Sequence, residues 1–174
     1  MVKLSGGSRT LTGGSREYGR REVEFNQLMH SGRYSDGYFS KKGGGYYLIE
    51  NSSASHKPEE IEAARFMADK GYCVTLTDEA GNGDRVKSPD GKKFNTSFEQ
   101  RTPFGDSAQN FNKCLEHAKL KGADMAVVFM KNAGHSKTSV EAGIRKYEEH
   151  NSYRFRQIIV VTKDGRMHKH KHNK

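Results

Sequence analysis

A chain of 174 residues suffices for one ordinary domain and a sizeable extra segment. Only 33% of it is hydrophobic, and Lys and Arg outnumber Asp and Glu by 30 to 21, a formal charge of +9. That balance excludes a bilayer-spanning helix, since no apolar run is long enough, and favours salt-sensitive attraction to phosphate polyanions.

Met1 to Ser15 lacks the apolar stretch of a signal peptide and reads as a flexible leader. A cytoplasmic site of action is therefore expected, reached directly or by delivery as part of a larger system. Residues 1–58 are rich in Gly, Ser and Tyr and read as an N-terminal appendage, partly flexible. Within them, residues 16–29 suit one helix with Val23, Phe25 and Leu28 as its apolar side. Tyr34, Tyr38, Phe39, Tyr46 and Tyr47 then alternate with glycines. Packing is the commoner fate of such a cluster, and stacking on unpaired bases is the alternative. Gly43-Gly44-Gly45 reads as a turn, residues 46–50 as the strand leaving it, and 51–57 as a polar linker.

From Pro58 the pattern sharpens. Pro58 suits a first helical turn, Glu59 and Glu60 complement its dipole, and Ile61, Ala64 and Ala68 recur at helical spacing before Gly71. Residues 72–77 form a β-favouring run holding Cys73, and 85–88 and 94–101 read as two more strands joined through Pro89-Asp90-Gly91. Asp106 with Gln109 marks the start of a helix whose apolar line is Ala108, Phe111, Leu115 and Ala118. Cys114 lies on that line. Neither cysteine fits a metal spacing or a disulfide framework, so both are expected buried and free.

Residues 126–130 are a continuous apolar run, the mark of a strand buried on both faces. Thr138 with Glu141 reads as a capping box opening a third helix, with Val140, Ile144 and Tyr147 inward. Residues 157–162 form a second buried strand, and Asp164-Gly165 turns into residues 166–168. The order α-β-β-β-α-β-α-β over 59–168 predicts an α/β sandwich with a mixed sheet. Residues 169–174, with Lys169 and Lys171 between histidines, read as a disordered basic tail able to contact phosphate.

The pattern that carries chemistry is Ser88-Pro89-Asp90, eight residues, then Glu99-Gln100-Arg101. Hard cations take carboxylate oxygens, and Mg²⁺ keeps several waters beside one or two of them. Glu99 and Arg101 stand two apart on a strand and share a face, whereas Gln100 points to the other. Asp90 would reach in from the neighbouring strand, and Glu62 on the first helix is a possible third acid. Read blandly, Pro-Asp-Gly is a common turn and Glu99 with Arg101 an exposed ion pair worth less than about 1 kcal/mol. Lys87 is placed to meet phosphate, as are Ser136 and Thr138 at a helix start, although capping is the more ordinary task of those two. A lone loop histidine such as His135 is usually solvated.

Residues 59–130 resemble the core of the PD-(D/E)XK nuclease superfamily: a helix, three strands carrying the acids, a helix and a strand. The resemblance implies that Asp90 and Glu99 bind metal, that Arg101 stands where the family has lysine, and that Glu62 is the helix acid some members add. Arginine can clamp a phosphate but cannot serve as a base. Gln100 occupies a position that replaces the cation in some divergent members. More narrowly, residues 59–168 look like the C-terminal tRNase toxin domains of contact-dependent growth-inhibition proteins and related mobile-element domains. The carrying segments are the helix at 61–71, Val-Lys-Ser-Pro-Asp-Gly at 86–91, Phe-Glu-Gln-Arg-Thr at 98–102, the strand at 123–130 and residues 158–165. That likeness implies RNA, tRNA in particular, as substrate, a cognate immunity protein as partner, and help from a translation elongation factor.

The expected activity is thus a metal-dependent endoribonuclease. Two alternatives stay open: a nucleic-acid-binding accessory protein with a degenerate site, and a metal-independent ribonuclease of the barnase or colicin type. The last would use His135 or a C-terminal histidine as base.

Overall fold

The computed structural model describes residues 10–11, 13–51, 55–77, 84–87 and 95–172, with 84–87 and 95 as backbone. The elements run α1 (Arg16–His30), β1 (Tyr34–Phe39), β2 (Tyr46–Glu50), α2 (Pro58–Asp69), β3 (Cys73–Leu76), β4 (Asp84–Lys87), β5 (Asn95–Arg101), α3 (Ala108–Leu120), β6 (Met125–Met130), α4 (Lys137–His150), β7 (Gln157–Thr162) and β8 (Met167–His170). They form two compact units, Met1–Ser97 and Phe98–Lys174. The α/β class and the order expected over 59–168 are both present.

In the first unit the strands are ordered β1-β2-β3-β4. β2 runs antiparallel to β1, with Tyr38 opposite Tyr47, and parallel to β3, with Tyr46 opposite Cys73. The Gly- and Tyr-rich region is therefore no separate appendage: β2 shares a ladder with β3, because β3 needs a backbone partner on that side. The sequence reading also missed β1. α1 covers one face, where Phe25, Leu28 and Met29 pack on Tyr46, Leu48 and Cys73. α2 lies by the other face, with the Arg65 guanidinium 5.1 Å from the Tyr38 ring centre and Tyr38 stacked on Tyr47.

Helix α1 differs from its expected pattern. Val23 is 56% exposed, and Arg21 is the buried residue. Arg21 donates from Nη1 to the Gly71 carbonyl at 2.7 Å and from Nε to Glu17 at 3.3 Å, so its charge is compensated. The triple glycine is more than a turn. A Cβ on Gly43 would stand 2.2 Å from the Asp69 carbonyl oxygen, so only glycine lets this loop press against the end of α2.

In the second unit the order is β5-β6-β7-β8. β5, β6 and β7 are parallel, with Glu99 beside Ala126 and Ala126 beside Ile158, and β8 is antiparallel to β7. Both crossover helices cover one face. Phe111, Leu115, Val140, Ile144 and Tyr147 pack there against Ala126, Val128, Met130, Ile158 and Val160. Every residue of β6 is buried, as its continuous apolar run predicts.

The helix starts fall one or two residues from their expected places. Ser107, not Asp106, caps α3 by accepting from the Asn110 N–H at 3.2 Å. Ser136, not Thr138, caps α4 by accepting from the Ser139 N–H at 3.3 Å, while Glu141 pairs with Lys137 at 3.7 Å. In both cases a serine in extended conformation directly before the helix wins the cap. Cys73 and Cys114 are buried and free.

Gly143 lets α3 and α4 approach: a Cβ there would lie 2.8 Å from Phe111 Cβ and 3.0 Å from the Ala108 carbonyl oxygen. Gly143→Val should destabilise the protein by about 1–3 kcal/mol despite its better helix propensity, because the helices cannot part without opening the core. Urea unfolding measures this, and an unchanged midpoint would refute the packing account.

Candidate functional site

Strand β5 presents Glu99 and Arg101 on one face. Its register puts them beside Ala126 and Val128, the side of the sheet that carries α3 and α4. The Arg101 Nη2 donates to Glu99 Oε1 at 2.8 Å, with the side chains 30% and 18% exposed respectively. Arg101 Nε is buried and finds no hydrogen-bond partner among the described residues. Its charge also reaches Cys114 on α3, whose thiol burial pushes up to about 11 and Arg101 partly draws back. That thiol stays protonated and unreactive at neutral pH.

Gln100 turns to the opposite face, where it is buried and donates through Nε2 to Thr102 Oγ1 at 2.9 Å. It does not share a surface with Glu99 and Arg101. Asp90, with Ser88 and Pro89, lies outside the described residues. Lys87 closes β4, whose backbone alone is described. Glu62 is half-buried on α2 in the first unit, and Glu99 belongs to the second. Ser136 spends its hydroxyl on the α4 cap, and Thr138 is exposed in the first turn. Among the described residues no group of three or more His, Cys, Asp or Glu is arranged to hold a metal ion.

The expected disordered tail is instead an ordered edge. β8 runs through Lys169 to His170, pairing Val160 with His168 and Ile158 with His170. The alternation then puts His168 and His170 on the helix-covered face and Lys169 on the other, where burial lowers the Lys169 pKa. Lys171 is exposed. His172 is tucked under α4: its Nε2 accepts from the Phe155 N–H at 3.0 Å, so the proton sits on Nδ1, which donates to Glu148 at 2.8 Å.

His135, in the loop before α4, stacks on His168 with ring centres 4.0 Å apart and planes 4° from parallel, and His170 lies 5.7 Å away. The Nε2 atoms of His135 and His170 are buried without a hydrogen-bond partner among the described residues. Burial, then the His168 and Arg166 charges, hold the His135 pKa low. Burial, then His135 and His168, push His170 down to about 4, against the opposing pull of Glu141. Beside this cluster lies a cavity of ≈ 270 Å³ lined by Ala133, Gly134, His135, Lys163, Arg166 and His168, among others. Reading the residues singly missed the cluster. The signal was present in His-Lys-His, whose alternation places His168 and His170 on one face once the segment is a strand.

No protein-family model matches the chain, and no curated protein matches it. Its fold is similar to a chain in the CdiA-CT/CdiI toxin and immunity complex from Burkholderia pseudomallei, with a TM-score of 0.51 and 19% sequence identity, over 71% of this chain and 98% of that one. At 19% identity the likeness is one of fold.

Because the folded state holds His170 neutral down to about 4 against an ordinary 6.5, the unfolded chain takes up the proton first as pH falls. Stability should therefore be full above pH 6.5 and decline toward pH 4, by on the order of 1–2 kcal/mol once partial solvent screening is allowed for. His170→Gln should flatten that decline in urea melts taken across the range. An identical slope in the variant would show that other groups set the acid limb.

Proposed function

We propose that this chain is a metal-dependent endoribonuclease, with tRNA as its foremost substrate, acting as a toxin domain in the cytoplasm of a target cell. The observation that carries the reading is the Glu99–Arg101 pair, a half-buried carboxylate 2.8 Å from a guanidinium whose buried Nε has no hydrogen-bond partner among the described residues. A buried donor without a partner calls for an acceptor, and a phosphate oxygen is the acceptor that guanidinium geometry fits best. The formal charge of +9 and the fold shared with a chain of a toxin and immunity complex support the same reading.

In this reading Asp90 and Glu99 would hold a divalent cation, Mg²⁺ in particular. Their oxygens are the donor type a hard cation takes. Bound there, the cation supplies charge stabilisation at the phosphoryl group and a water of lowered pKa. Arg101 holds Glu99 in place and offsets negative charge on the phosphorus oxygens. Being permanently protonated, it orients and does not act as a base. Gln100, facing away, supports the strand through Thr102 and is not placed at the phosphate. Lys87, Lys171 and Thr138 would guide the RNA. A cognate immunity protein and a translation elongation factor are the partners this reading carries with it.

Purified protein incubated with tRNA, total RNA and DNA, with Mg²⁺ and with chelator, provides the test. Cleavage of RNA should require the cation, and Asp90→Ala or Glu99→Ala should each lower the rate by about 10²-fold or more. Arg101→Ala should lose a comparable factor, and Arg101→Lys should recover part of it, since a point cation restores charge but not the planar fork. Cleavage indifferent to chelator and to both acid variants would sink the proposal in favour of a metal-independent ribonuclease. Binding without cleavage under all conditions would leave an accessory nucleic-acid-binding protein.

A further inference from the structure

We propose that the cavity between residues 133–135 and the β7–β8 hairpin is a second RNA contact, binding a backbone phosphate through His135, His168, Arg166 and Lys163. It rests on the reading of the chain as a ribonuclease, and it lies apart from the Glu99–Arg101 pair. β5 and β8 are the outer strands of the second unit's sheet, three strand spacings or about 14 Å from one another.

Three features converge on the cavity. The first is topological. In parallel strands the loops leaving the C-terminal ends share one edge of the sheet, where open α/β sheets place ligands. Residues 131–136 after β6 and 163–166 after β7 meet at that edge, and the cavity lies between them. The second is charge. Lys163 and Arg166 bring two exposed cations against one lining carboxylate, Asp164, which accepts from the Thr162 hydroxyl and from Arg166 Nε at 2.9 Å, so the lining keeps one cation in excess.

The third is the unmet hydrogen-bonding capacity of the imidazoles. His135 and His168 lie face to face at 4.0 Å, and the buried His135 Nε2 has no partner among the described residues. Arg166 of the hairpin acts on His135, while Lys137 of α4 and, opposing it, Glu141 act on the neighbouring His170. A neutral His135 tolerates such neighbours, but an anion in the cavity would reverse the balance and favour its protonation. Phosphate binding and proton uptake are therefore linked, and affinity should rise as pH falls.

Phe104 favours single-stranded RNA over a free anion. It is 95% exposed in the loop leaving β5, at the same edge of the same unit, with its ring open to stack on a base. An acidic peptide could satisfy the cations, but it would make no use of such a ring.

The test uses the full chain carrying Glu99→Ala, so that no outcome depends on cleavage. Histidine ring NMR signals are followed during titration with inorganic phosphate and, separately, with a 2′-O-methyl RNA oligonucleotide. Both should move the His135 and His168 signals and raise the apparent pKa of His135 by about one unit, with oligonucleotide affinity gaining about tenfold from pH 7.5 to 5.5. Arg166→Ala and Lys163→Ala alter exposed side chains and should keep the fold, yet each should weaken both ligands. Phe104→Ala should weaken the oligonucleotide alone. Movement with inorganic phosphate but unaltered oligonucleotide affinity in all three variants would overturn the RNA assignment. A response to an acidic peptide but not to the oligonucleotide would overturn it too. Loss of cleavage in the Asp90 and Glu99 variants leaves this result untouched, so the two proposals fail separately.

Discussion

The second unit depends on the burial of β6 and β7 on both faces. Val127, Phe129, Ile159 and Val161 are sealed on one side, and Ala126, Val128, Ile158 and Val160 on the other. A strand buried this way has no water to satisfy its backbone, so each N–H and C=O needs a neighbouring strand. β6 finds β5 and β7, while β7 finds β6 and then needs one more. The hairpin at Asp164-Gly165 brings β8 to fill that place, although its side chains are among the most polar in the unit. Backbone pairing, more than side-chain hydropathy, makes a strand of a histidine–lysine alternation.

Once β8 exists, its period of two does the rest. His168 and His170 turn toward the helix side, and His172 inserts between Phe155 and Glu148. The first unit handles a buried cation similarly. Arg21 sits below α1 because carbonyl groups at Gly71 and Gly44 point at it, and the guanidinium ties loops that would otherwise bury unsatisfied acceptors. Arg21 and His172 both enter the interior where backbone atoms offer them partners.

The helix-covered face of the second unit carries two chemically distinct groups at opposite margins. Glu99 and Arg101 stand on β5, and His168 with His170 on β8, with the apolar columns of β6 and β7 between them. The Arg101 guanidinium at β5 is permanently charged, whereas burial and neighbouring imidazoles hold the His135 and His170 pKa values low. A polyanion meeting both would find one contact of fixed charge and one that strengthens with protonation.

Much of the fold was legible in the residues themselves. Pro58 with its acids opened α2, the apolar run from Ala126 marked a strand buried on both sides, and alternation put Glu99 and Arg101 on one face with Gln100 on the other. These follow from covalent geometry and local hydropathy, which act over a few residues and are written in their order. What only the tertiary structure decided were contacts between distant segments: Tyr46 beside Cys73, Gly43 pressed to Asp69, Arg21 bound to Gly71, His135 stacked on His168. Each depends on which segment lies alongside which, and that is set by long-range burial and by the need of every interior backbone group for a partner. No short window of the chain encodes that choice.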